Sequence, residues 1–185
     1  MTLFVLIVVV VVLLAAGWAT ERWIHEPQRV RDRLEGEKKF RTKLERRASS
    51  FGLSVRFDGA LHLEKYILTG ELGGVEVEIE EVNFSYGDEH GRHLVFRPLR
   101  PVCVDADGTP LPVGDPRLGA RRKAAREALS GLIGALPPRY GPGAELKSSG
   151  GMVWVLVQGG IMEVLDEQVL EGVGAAFEAL GPFEQ

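Results

Sequence analysis

Asp88, Glu89, His90 and His93 are the closest this sequence comes to a cluster that could hold a metal ion. Imidazole and carboxylate bind zinc, but a site needs three or four convergent ligands, and no further His or Cys cluster supplies them. His90-Gly91-Arg92-His93 therefore reads as a polar hairpin loop, with no metal expected. Cys103 is the only cysteine. A nucleophilic thiol needs an activating base and an exposed setting, whereas Val102-Cys103-Val104 reads as buried strand. One cysteine makes no intramolecular disulfide framework, and a lone thiol suits a reducing compartment. The chain carries no Gly-x-Ser-x-Gly elbow, no Gly-Lys-Ser/Thr phosphate loop and no dinucleotide glycine fingerprint. Gly172-Val173-Gly174 falls inside a helical pattern. Glu76, Glu78 and Glu80 alternate along a strand as a solvated face does, while a catalytic pair needs surroundings that push two carboxyls apart. No catalytic residue and no cofactor are nominated, and a non-enzymatic protein is expected.

One cluster is less routine. Arg117, Arg121, Arg122, Lys123 and Arg126 crowd the first half of a helix read over 116–136. Cations there oppose the helix dipole, a placement that a bound anion would relieve, since N-terminal amides and arginines converge on phosphate or carboxylate. The plainer reading is a solvated polar face, or one paired with the acidic strand.

The elements that must position these residues follow from punctuation and period. Asp115-Pro116 is a helix start, Asp as N-cap and Pro at the first helical position. Leu118, Ala125, Leu129, Leu132, Ile133 and Leu136 mark one face, and Pro137-Pro138 stops it. Gly73-Gly74 separates YILTGEL from VEVEIEEVNF and reads as a hairpin. Val82 and Phe84 stand out of phase with Val75, Val77 and Ile79, which predicts a bulge near Glu80-Glu81. His93 to Phe96 and Val102 to Val104 read as two strands separated by Pro98 and Pro101. AELKS and MVWVLV flank Gly150-Gly151, and Met152 to Val157, apolar on both faces, should be a central strand. Leu165, Val169, Leu170, Val173, Phe177 and Leu180 describe an amphipathic C-terminal helix. GELGGVEVEIEEV and AELKSSGGMVWVLVQ share a hairpin layout, in the manner of a degenerate two-fold repeat.

The N-terminus is of another kind. Leu3 to Ala19 holds no charge, and its length as helix, about 25 Å, suits a bilayer core of about 30 Å if the flanks snorkel. Trp18, Arg22 and Trp23 would stand at the membrane interface. The rival is a cleaved signal with Gly17 and Ala19 before the cut, which leads to a secreted or periplasmic protein, but no Lys or Arg precedes the apolar run. Arg22, Arg29, Arg31, Arg33, Lys38 and Lys39 follow it, so the C-terminal part should be cytoplasmic. Residues 21–50 read as a basic juxtamembrane helix able to touch anionic lipid. Val30, Leu34, Leu44, Ala48 and Phe51 recur at near-heptad spacing, though Glu37 and Arg41 interrupt the seam. A short dimerising coil and a solvated stalk are the two readings, and the second fits the interruptions better.

At 185 residues with a formal net charge of −4, the chain has the size of one domain plus attachments and is a poor general nucleic-acid binder. The expected organisation is a transmembrane anchor over 1–20, a stalk over 21–50 and a soluble domain over 51–185. The fold expected is α+β, a two-layer domain of mainly antiparallel sheet with two helices. Anchor, basic stalk, GELGGVEVEIEEV and the terminal LDEQVLEGVGAAFEAL together resemble uncharacterised single-pass membrane-anchored proteins of GC-rich bacteria. The resemblance is one of layout. It implies a bacterial inner membrane and transfers no activity or site residue. The expected role is a membrane-tethered interaction or scaffolding module at the cytoplasmic face, with membrane lipid, a protein partner or self-association through the stalk, and no nucleic acid. The alternative is an anion or phospholipid-headgroup binder that uses the basic helix.

Overall fold

The computed structural model describes residues 2–20, 26–58, 65–86, 89–105, 107–112, 114–135, 143–149 and 152–181. It divides into two compact units, Met1–Lys43 and Leu44–Gln185.

The first unit is helical. Helix α1 (Thr2–Thr20) carries no acidic residue in its first turn and no basic one in its last. Its apolar side chains, Val9 to Leu14 and Trp18 among them, are exposed. Among the described residues no helix is long and apolar enough to cross a membrane, so the expected spanning helix is not part of what the structure supports. Arg22 and Trp23 lie outside the described residues. Helix α2 (Glu26–Ser50) begins in this unit with Val30 and Leu34 exposed, and its last two turns belong to the second unit.

The second unit is α+β. Six antiparallel strands stand in the order β1-β2-β3-β4-β6-β5, with β1 Ser54–Asp58, β2 Lys65–Leu72, β3 Val75–Tyr86, β4 Glu89–Pro98, β5 Ala144–Ser149 and β6 Met152–Gln158. Helix α3 (Pro116–Ala135) falls between β4 and β5, and the short α4 (Ile161–Val164) and α5 (Glu167–Leu180) follow β6. Alternation sorts the side chains of each strand to two faces. Val55, Leu68, Ile79, Phe96, Val155 and Leu146 line up across the six strands on one face. The four central members of that row are fully buried. Leu118, Ala125 and Leu129 of α3 and Val169, Val173, Phe177 and Leu180 of α5 are buried with them. Each large side chain removed from water contributes about 1.5–3 kcal/mol, which makes this the main source of cohesion. Leu44 and Ala48 of α2 are fully buried too. Arg47 Nε donates to the Leu165 carbonyl at 2.6 Å, clipping the end of α2 to the α4–α5 corner.

Three local expectations are corrected. Pairing of β3 with β4 runs through Glu80 and Glu81 in one unbroken register, so there is no bulge against β4, while the pairing with β2 ends at Glu80 opposite Ile67. Glu80 instead sits on the face opposite the buried row, between Ile67 and Val95, where it is 8% exposed. Lys65 and Arg97, from the two flanking strands, both pair with its carboxylate. Cross-strand cations let a carboxylate occupy a position the hydrophobic phase would give to an apolar residue. Val102–Val104 is not a strand either: apart from one bridge between Val104 and Pro110, the segment is a loop, because Pro98 ends β4 and Pro101 follows it closely. His90 to His93 belong to β4, not to a hairpin loop. Here strand pairing with Ser85, Phe84, Asn83 and Val82 outweighs the polar composition.

Candidate functional site: an acid-rimmed groove beside the C-terminal helix

The β2–β3 turn is two glycines long. Gly73 at φ 55° and Gly74 at φ 73° give the doubly left-handed turn whose twist matches that of the strands it joins, with Leu72 opposite Val75. Gly73 is also where the hairpin meets α5. A Cβ built there would lie 2.1 Å from the Gly174 carbonyl oxygen, and one built on Gly174 would lie 3.1 Å from the Gly73 nitrogen. Two glycines thus let strand turn and helix approach backbone to backbone.

Along this contact runs a groove of about 370 Å³. Phe51, Leu72, Leu170 and Ala175 give it apolar surface, and Glu71, Glu167, Glu171 and Glu178 edge it. Among the described residues no Lys or Arg lines it. All four glutamates are exposed, and none makes an ion pair or a side-chain hydrogen bond among the described residues. Asp166 caps α5 by accepting from the Gln168 amide at 3.1 Å, and Glu167 adds favourable charge at the positive end. Glu171 stands one turn after Glu167, where like charges cost about 0.2–0.5 kcal/mol. Glu178 stands in the last turn, where the helix dipole disfavours an anion. Among the described residues no cation pairs with these acids to offset either cost.

The basic cluster of α3 is arranged differently. Asp115 caps the helix, accepting from the Arg117 amide at 2.8 Å, and Arg117 Nη2 returns to the same carboxylate at 2.8 Å. The Arg117 hydrogen bonds hold the Asp115 carboxyl below its ordinary range. Arg121 lies on the buried stripe, 6% exposed, with Nη1 donating to the Val104 carbonyl at 2.9 Å. Arg122 is half-buried, and its Nε is buried with no hydrogen-bond partner among the described residues. Lys123 is exposed and 3.9 Å from Glu127, and Arg126 is exposed. The five cations that sequence groups together are therefore divided among a cap, the interior and the open surface.

Cys103 is 1% exposed. Burial pushes its thiol up, against the opposing fields of Arg121 and Arg122, which leaves little reactive thiolate at neutral pH. Among the described residues there is no group of three or more His, Cys, Asp or Glu placed to hold a metal, and Asp88 lies outside them.

The groove is not visible in the apolar stripe of LDEQVLEGVGAAFEAL alone. The available signal was the acids beside that stripe and a glycine, Gly174, in a helix interior, where glycine costs about 1 kcal/mol relative to Ala and so asks for a packing reason. No family model, curated protein or solved structure matches the chain.

Proposed function

We propose that the chain is a membrane-tethered, non-catalytic interaction module whose compact unit receives a polypeptide partner at the cytoplasmic face. The observation that carries this reading is the acid-rimmed groove, an apolar depression edged by four glutamates that have no counter-ion among the described residues. Apolar contact there would supply affinity, and the acids would select a cationic partner and speed its approach. The tether rests on sequence: Met1 to Thr20 is uncharged, and the Lys and Arg residues that follow favour retention of the C-terminal unit in the cytoplasm.

A second reading, an anion or phospholipid-headgroup site on α3, is favoured by one observation, the buried Arg122 Nε with no partner among the described residues, on the same helix as exposed Arg126. Arg117 and Arg121 already hold acceptors within the chain, which leaves this reading second.

The test uses the full chain in a bacterial inner membrane, with a photo-crosslinking residue in place of groove-lining Ala175 or, as a control, exposed Thr109. A discrete polypeptide adduct from position 175 and none from 109 is expected. A reporter active only in an oxidising compartment, fused after Gln185, should stay silent. Absence of any adduct from 175, together with phosphate binding that Arg122→Gln abolishes, would replace the first reading by the second.

A further inference from the structure

We infer that the occupant of the groove is the basic first part of α2, residues 28–43, from a second copy of this chain. The inference rests on the interaction reading above and names its partner. Residues 28–43 hold Arg29, Arg31, Arg33, Lys38, Lys39, Arg41 and Lys43 against Asp32, Glu35 and Glu37, an excess of cations. Val30 is 49% exposed and Leu34 39% exposed, large apolar side chains one helical turn apart. Arg33, Leu34, Glu37 and Lys38 follow Val30 at spacings of three, four, seven and eight, so one side of the helix carries two apolar side chains and two cations with a single acid among them. The groove is the inverse: Leu72, Leu170 and Ala175 between Glu71, Glu167 and Glu171, with Glu167 and Glu171 also one turn apart. The Arg33–Glu37 pair at 3.2 Å is solvent-exposed and little obstacle to a new partner.

Charge also decides against the two like-with-like arrangements. Stalk against stalk would bring the cationic sides together, and groove against groove would set eight glutamates face to face, both of them repulsive. Stalk into groove is the one pairing of these two surfaces that places opposite charges together around apolar contact. When each copy lends its stalk to the other, the contacts close into a two-fold dimer instead of an open chain. Confinement of both copies to one membrane would raise their effective concentration for this exchange.

The experiment keeps the full chain in the membrane. Cys103→Ala removes the native thiol, and two differently tagged versions are co-expressed, one with Val30→Cys and one with Ala175→Cys. A short bismaleimide should join the two tags. Glu167→Lys with Glu171→Lys on the groove copy should lower that product about tenfold or more, and Arg31→Glu with Arg33→Glu on the stalk copy should restore it. All four charge-reversed residues are exposed. Circular dichroism of each purified variant checks that its fold is retained, and the restored product is itself evidence of an intact groove. Joining of Val30→Cys copies to one another in place of the mixed product would establish stalk-to-stalk pairing and overturn the inference. No mixed product, alongside a position-175 adduct that contains a different polypeptide, overturns the second copy as occupant and leaves the interaction module standing. No adduct of any kind overturns both.

Discussion

Helices α3 and α5 each carry a dense run of one sign of charge, and they use it in opposite ways. In α3 the conspicuous cations are largely consumed by the chain: Arg117 closes on its own cap residue and Arg121 turns inward to the Val104 carbonyl. In α5 the acids are fewer and less noticeable in sequence, yet Glu167, Glu171 and Glu178 face solvent with no partner among the described residues. A charge run is therefore a poor guide to available charge. What matters is whether the fold places an acceptor or a donor within reach, and the loop before α3 does so while the groove beside α5 does not. An uncompensated run on a helix, with one acid at the wrong end of its dipole, is the kind of cost that a partner can relieve.

The largest expected effect comes from breaking the contact that shapes the groove. Gly73→Ala would force a Cβ into a left-handed backbone position and against the Gly174 carbonyl. Left-handed strain and overpacking together predict a loss of about 2–5 kcal/mol, read by urea unfolding of the full chain in mild detergent. Unchanged stability would show that turn and helix do not meet this closely.

Arg121→Met tests the α3 side of the comparison. Methionine keeps much of the length and apolar contact but leaves the Val104 carbonyl without its donor, for an expected loss of about 1–3 kcal/mol. It also removes one of the two cationic fields that oppose burial at Cys103, so the thiol should rise further and alkylate more slowly in the native state. Faster alkylation, or a stability within about 0.5 kcal/mol of the parent, would place Arg121 on the surface and return it to the pool of available cations.

The smallest effect should come from α5. Replacing Glu167, Glu171 and Glu178 together with Gln removes like-charge repulsion and no internal bond, so unfolding should stay within about 0.5 kcal/mol of the parent or improve slightly. A loss above about 1 kcal/mol would mean these acids hold the fold together, and the contrast with α3 would fail.

Some of this was legible in advance. The Gly73-Gly74 hairpin, the Asp115-Pro116 helix start and the apolar stripe of α5 each depend on residues within a turn or two of one another, and each stands where sequence reading places it. Beyond that range local pattern and structure part. Val82 out of phase suggests a bulge, but the register with β4 is unbroken, and Lys65 and Arg97 on neighbouring strands supply the charge that lets Glu80 lie buried on the sheet's other face. The strand β1 went unread because Ser54–Asp58 alternates only between exposed and half-buried positions on a sheet edge, which leaves little hydrophobic contrast.

Composition and period alone determined the class of this protein: an uncharged first twenty residues, a cationic stretch after them, and strands and helices whose punctuation demands an α+β unit. They could do so because turn chemistry, capping and amphipathic period are short-range properties of the chain. Tertiary structure alone decided the strand order β1-β2-β3-β4-β6-β5, the inward turn of Arg121, and the meeting of Gly73 with Gly174 across about a hundred residues of sequence. A side chain's partner is chosen by whichever distant segment packing brings within a few ångströms, and a local pattern carries no term for that.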